Sequence, residues 1–115
     1  MLLHLLRHAD AGDPNAWQGP DAIRPLSAKG RRQSKRLGDH LAAIGFTTDV
    51  IVTSPKVRAE QTADLVGERL GASVTVDDRL GGGFDLEALD ELLTDVGDPQ
   101  RIIVVGHDPD FSQTL

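Results

Sequence analysis

The sequence predicts an α/β fold, three layers deep, with helices on both faces of a mainly parallel central sheet, built as a single domain over residues 1–115. Three observations lead there. Short apolar runs rich in β-branched residues alternate with longer stretches of helical spacing. The strongest run, Ile102-Ile103-Val104-Val105, has no polar face, as expected of a strand covered on both sides. A chain of 115 residues also hides roughly two-thirds of its extended surface on folding, enough for one modest core.

The elements run in order. Leu2-Leu3-His4-Leu5-Leu6 reads as a first strand, placed centrally because only His4 interrupts its apolar run. Ala9 to Pro25 carries Gly12, Pro14, Gly19 and Pro20, and a loop this long in a small domain is expected over a site. Ser27 is an N-cap for a helix to about Ile44, with Leu37, Leu41 and Ile44 as its apolar stripe and Gly45 as its stop. Asp49 to Thr53 is a second strand. Ser54-Pro55 opens a second helix with Ala59, Ala63, Val66 and Leu70 on one face, ending at Gly71. Val74-Thr75-Val76 is a shorter third strand and Gly81-Gly82-Gly83 a flexible connection. Asp85 caps a third helix through Leu86, Leu89, Leu92, Leu93 and Val96. Ile102–Val105 is the fourth strand, and Gly106-His107-Asp108-Pro109 turns into a further helix.

Composition removes several functions. With no cysteine there is no disulfide framework, thiol nucleophile or thiolate metal site. The formal net charge of -6, from 12 Lys and Arg against 18 Asp and Glu, argues against a nucleic-acid module held by its overall field. Four aromatic residues, Trp17, Phe46, Phe84 and Phe111, are too few for base-stacking platforms. The apolar start ends at Arg7-His8, short of a signal peptide or a spanning helix, so a cytoplasmic protein without a membrane partner is expected.

Ligands of open α/β sheets bind at the carboxyl ends of the strands. There the sequence is cationic, although the whole chain is acidic. Arg7 and His8 come after the first strand, Lys56 and Arg58 after the second, and His107 after the fourth. Two arginines and two histidines from distant stretches would meet at one sheet edge, a pocket for an anion and above all a phosphoryl group. A neutral imidazole in such a pocket can attack phosphorus while guanidinium forks hold its oxygens.

Leu5-Leu6-Arg7-His8-Ala9, Thr53-Ser54-Pro55-Lys56-Val57-Arg58-Ala59-Glu60-Gln61-Thr62-Ala63 and Val104-Val105-Gly106-His107 resemble, in order, the three signature segments of the histidine phosphatase superfamily. The stretch Arg24 to Gly30 and the Arg-Ala-Glu-Gln-Thr-Ala string are most similar to SixA-type phosphohistidine phosphatases. The resemblance covers nearly the whole chain and implies a phosphoglycerate mutase-like fold. It implies His8 as the nucleophile that becomes phosphorylated, Arg7 and Arg58 as the phosphoryl clamp, and His107 as a further donor, with no metal or organic cofactor. The implied partner is a protein bearing phosphohistidine, or a small phosphorylated compound.

The resemblance departs at Ala9, where the family usually has glycine, and at the general acid. Many members place a carboxylate after the third strand; Asp77, Asp78, Asp85 and Glu87 are the choices here, and none is assigned. Relatives continue past the second histidine segment with a helix and a strand, so the chain reads as C-terminally short, with an exposed face or strand edge favouring a homodimer.

Each of these residues also has a plainer role open to it. His8 could merely end a strand, Arg58 face water and His107 satisfy a turn. His4 is expected as a core or interface histidine, His40 as solvent-facing, and Glu60 and Gln61 as supports of Arg58 or surface residues. His8, Asp10, His107 and Asp108 could form a divalent metal site, but Arg7 and Arg58 would repel a cation there. A module that binds phosphate or a phosphoprotein without turnover is the remaining alternative.

Overall fold

The computed structural model describes residues 2–107. Strands β1 (Leu2–Arg7), β2 (Val50–Thr53), β3 (Val74–Val76) and β4 (Arg101–Gly106) form one parallel sheet in the order β1-β4-β2-β3. Helices α1 (Ala28–Ala43), α2 (Val57–Leu70) and α3 (Leu86–Asp95) connect them. Class, strand direction and element order are those the sequence predicts.

The core has two halves because strand side chains alternate between faces. Val52, Ile102 and Val104 meet Leu80, Phe84 and the α3 residues Leu89, Leu92 and Leu93 on one side. Ile51, Ile103 and Val105 meet Ala59, Ala63 and Val66 of α2 on the other, with Leu37 and Leu41 of α1 partly buried against that cluster. Ile102 to Val105 are therefore covered on both faces, each contributing roughly 1.5–3 kcal/mol by burial. This makes β4 the mechanical centre of the sheet and fixes the height at which His107 leaves it.

Small residues set how closely α1 and α2 approach. The buried positions of α1 are Gly30, Ser34 and Gly38, spaced four apart along one face. A Cβ on Gly38 would lie 2.8 Å from Arg69 Cδ and 3.3 Å from the Val66 Cα, so only glycine fits without repacking.

Four expectations need correction. Among the described residues β1 stands at the edge of the sheet and not at its centre: it pairs there only with β4, and its side chains are at most half-buried. An apolar run this short does not distinguish an edge from a centre. His4 is accordingly exposed, its ring edge-on to Phe46 at 5.0 Å. Ile44 is 63% exposed, because α1 ends at Ala43 and Ile44 has already left helical geometry. Leu86, in the first turn of α3, is equally exposed and does not join the core stripe. The helix expected after His107, with Asp108, Asp110 and Phe111, and the C-terminal edge expected to favour a dimer lie outside the described residues. No helix among the described residues is long and apolar enough to cross a membrane.

Candidate active site

Parallel register brings the carboxyl ends of β1, β4 and β2 level. Arg7 pairs with Gly106, and Thr53 with Val105. Backbone bonds then hold the next residues along: the His8 N–H donates to the Gly106 carbonyl (3.1 Å) and the Ser54 N–H to the Val105 carbonyl (2.9 Å). These bonds set His8 beside His107, with ring centroids 5.1 Å apart and planes inclined by 54°.

The tautomer of His8 is dictated by its neighbour. Nδ1 lies 2.7 Å from the Ala9 carbonyl, which can only accept, so Nδ1 carries the proton and Nε2 keeps its lone pair. Burial lowers the pKa below its usual value against the raising effect of that bond, and the charges of Arg58, Arg24 and Arg7 lower it further. At neutral pH the ring is an uncharged imidazole with one basic nitrogen. Ala9 occupies the family's glycine position without strain, since Asp98 alone among the described non-glycine residues has positive φ. The Ala9 N–H is held by Thr62 Oγ1 at 3.1 Å.

His107 is buried at 6% exposure. Its Nε2 lies 2.6 Å from Ser54 Oγ, and its Nδ1 is buried with no hydrogen-bond partner among the described residues. Burial, then the charges of Lys56, His8 and Arg58, lower its pKa to about 4. Arg58 is also buried, at 5% exposure. Its two terminal nitrogens donate to Asp21, Nη1 to the carbonyl (2.8 Å) and Nη2 to the carboxylate (2.9 Å), while Nε is buried without a partner among the described residues.

A second buried guanidinium completes the cluster. Arg24 donates through Nε to the other Asp21 carboxylate oxygen (3.1 Å) and through Nη1 to the Ala11 carbonyl (2.7 Å). The Asp21 carboxylate therefore bridges two arginines, which hold its pKa below the ordinary range, Arg24 foremost. One anionic group already sits where two guanidinium forks converge. A cleft of about 680 Å³ opens beside it, its walls including Arg7, His8, Asp10, Gly12, Arg24 and Gln33. Arg58 and His107 are not among those walls, and both are buried.

The loop after His8 is fastened to α1. The Asp10 carbonyl accepts from the Ser27 N–H (3.0 Å) and from its hydroxyl (3.1 Å), and the carboxylate takes Ser27 Oγ at 2.5 Å. Ser27 still caps α1 by accepting from the Gly30 N–H. The Leu26 N–H donates to Gln61 Oε1 at 2.9 Å, so Gln61 ties the stretch that opens with Arg24 to α2 rather than supporting Arg58 directly.

The structure thus brings His8, His107 and Arg58 together and puts Arg7 on the cleft wall. The four carboxylates considered for the acid do not line the cleft. Asp77 caps a 3-10 turn at Asp78–Gly81 and binds Arg79 (2.9 and 2.6 Å), which lowers its pKa. Asp85 caps α3 through the Ala88 N–H, and Glu87 lies in the first turn of that helix. No group of three or more His, Asp or Glu side chains among the described residues could hold a metal ion, and the Asp10 carboxylate is engaged by Ser27. Sequence reasoning passed over Arg24, Asp21 and Ser54. Arg24 carried a signal, as the cation opening the SixA-like stretch; Asp21, in an exposed 3-10 turn, carried none.

A model of the histidine phosphatase superfamily (branch 1) matches residues 3–82. An uncharacterised protein of Picosynechococcus sp. is 33% identical over 98% of this chain and 70% of its own length. GpmB of Salmonella arizonae, named a probable phosphoglycerate mutase, is 29% identical over 70% of this chain, which spans only 37% of that protein. Among solved structures, the protein histidine phosphatase SixA complexed with tungstate superposes with a TM-score of 0.82 at 26% identity, over 95% of this chain and 70% of the other. SixA from Agrobacterium tumefaciens gives 0.80 at 27% identity, over 97% and 71%. The order of the strands, the residues at their carboxyl ends and the span of the match together make this chain a member of the histidine phosphatase superfamily.

Proposed function

We propose that the chain is a phosphatase that removes a phosphoryl group, from protein phosphohistidine above all, through a covalent intermediate on His8. The observation that carries the reading is the neutral His8 ring, its Nδ1 proton donated to the Ala9 carbonyl, in the field of three arginines and beside a second histidine. Binding of tungstate, a tetrahedral oxyanion, by the SixA relative supports the same assignment.

In the proposed reaction Nε2 attacks phosphorus as the bond to the leaving group breaks. Arg7 and His107 stabilise the charge on the phosphoryl oxygens, joined by Arg58 as the phosphoryl group takes the place of the Asp21 carboxylate on its guanidinium. A substrate imidazole already protonated on its other nitrogen departs as a neutral ring, so this step balances without a protein acid. Water then attacks the phosphorus of phospho-His8, the Nε2–P bond breaks, and both water protons leave on dihydrogen phosphate as His8 regains its lone pair. No metal or organic cofactor enters these steps.

The test is phosphate release from a phosphohistidine-bearing protein and from an aryl phosphate, each with EDTA or orthovanadate added. Release blocked by vanadate and untouched by EDTA is expected. Phosphate binding without release from either substrate would identify a binding module, and loss with EDTA a metal site. The homodimer is a separate proposal, which light scattering refutes if the mass stays monomeric at all concentrations.

A further inference from the structure

We propose that Ser54 is a positioning residue that keeps the proton of His107 on Nδ1, so that the ring offers an N–H to a bound phosphoryl group. The inference rests on the reading that the phosphoryl group binds at His8.

Hydrogen-bond accounting around one hydroxyl carries it. Ser54 is fully buried, and its own N–H is tied to β4 through the Val105 carbonyl, so its Oγ cannot drift from the end of the sheet. That oxygen has two neighbours: the Lys56 N–H, which donates to it at 3.2 Å, and His107 Nε2 at 2.6 Å. A hydroxyl has one proton and two lone pairs. The Lys56 N–H uses a lone pair, and a backbone N–H cannot accept. The only acceptor for the Ser54 proton among the described residues is therefore Nε2. If Nε2 carried the ring proton instead, the Ser54 proton would be buried without a partner, at a free-energy cost that native interiors avoid.

With Nε2 accepting, a neutral His107 has its hydrogen on Nδ1. Nδ1 is buried and lacks a partner among the described residues, on a ring 5.1 Å from that of the proposed nucleophile. The opposite tautomer would turn a lone pair toward the anion. Burial and the surrounding cations keep the ring neutral, so the placement of its single proton decides whether the contact attracts or repels. Ser54 thus acts on the substrate only through His107.

Long-range proton–nitrogen NMR of the ¹⁵N-histidine-labelled chain at neutral pH reads the tautomer directly, with His107→Gln assigning the signal. The expected wild-type result is a protonated Nδ1 and an unprotonated Nε2. Ser54→Ala should move the population toward Nε2–H and weaken binding of inorganic phosphate about tenfold or more. Ser54→Thr, which retains the hydroxyl, should keep the wild-type tautomer. Nε2–H in the wild type overturns the proposal, as does unchanged phosphate affinity and tautomer in Ser54→Ala. Should Ser54→Ala fail to fold, the wild-type and Ser54→Thr spectra decide. The tautomer is measured without turnover, so a chain that forms no phosphoenzyme would sink the proposed function and leave this measurement intact.

Discussion

Gly30→Ala should loosen the loop that follows the proposed nucleophile. A Cβ at residue 30 would lie 1.9 Å from the Asp10 carbonyl oxygen and 2.9 Å from its carbon, and both are backbone atoms with no flexible end to swing aside. Ordinary contact begins at 3.4 Å, so Asp10 must retreat by roughly 1.5 Å, because α1 is anchored by its Ser27 cap and its packing on α2. That movement pulls the Asp10 carbonyl from the Ser27 N–H and hydroxyl. Overpacking costs about 1–3 kcal/mol and each lost hydrogen bond about 1 kcal/mol, offset by about 1 kcal/mol from alanine's better helix propensity. The net loss is about 2–4 kcal/mol, or a fall in Tm on the order of 10 °C. Asp10 is two residues from His8, and a misplacement of about 1 Å can cost roughly 100-fold in rate. Urea unfolding followed by circular dichroism, with turnover of an aryl phosphate, measures both. Gly81→Ala is the control, since the nearest atom to its Cβ is Pro55 Cγ at 3.4 Å. If Gly30→Ala matches Gly81→Ala in stability and rate, the close approach of loop and helix is wrong.

His8→Ala should abolish turnover while leaving the melting curve near that of the wild type, and Arg58→Ala should lower turnover by about two orders of magnitude; near-wild-type rates in His8→Ala would exclude the covalent route. The acid limb of the kcat/KM profile should fall below pH 6.5, since attack needs a neutral His8 and its pKa is lowered; a limb above 6.5 contradicts this. Stability should respond to His107 in the same direction. The unfolded ring takes up a proton below about 6.5 and the folded ring only near 4, so stability is complete above 6.5 and is lost as pH falls through about 4. His107→Gln should flatten that dependence in urea titrations at stepped pH. Asp77→Asn should cost about 1–2 kcal/mol by freeing Arg79 and weakening the 3-10 cap, with turnover unchanged; a 100-fold slower enzyme would instead make Asp77 the missing acid.

Features governed by local chemistry were legible in the sequence. The Ser27 and Asp85 caps, the Gly71 stop in left-handed conformation and the burial of the apolar residues Ile102 to Val105 in β4 depend on neighbours within a few positions or on unbroken apolarity. The placement of His8, Arg58 and His107 past the ends of β1, β2 and β4 was legible because parallel strands bring their carboxyl ends to one edge, where the candidate site lies. Position within the sheet was not legible, since the apolar run of β1 suits an edge as well as a centre. Nor was the α1–α2 contact, which depends on glycine and serine where a periodicity search looks for leucine. The bridge from Asp21 to Arg24 and Arg58 joins residues up to 37 positions apart across a loop without periodicity. No local pattern marks a carboxylate that will meet two guanidinium groups.

The account depends on His8 Nε2 becoming bonded to phosphorus. Acid-sensitive, alkali-stable label should appear when the chain is mixed with a ³²P-labelled substrate and quenched in alkali within a turnover, and peptide mapping should place it on His8. Label on another residue, or phosphate released at full rate with no labelled intermediate in the wild type, would contradict the account.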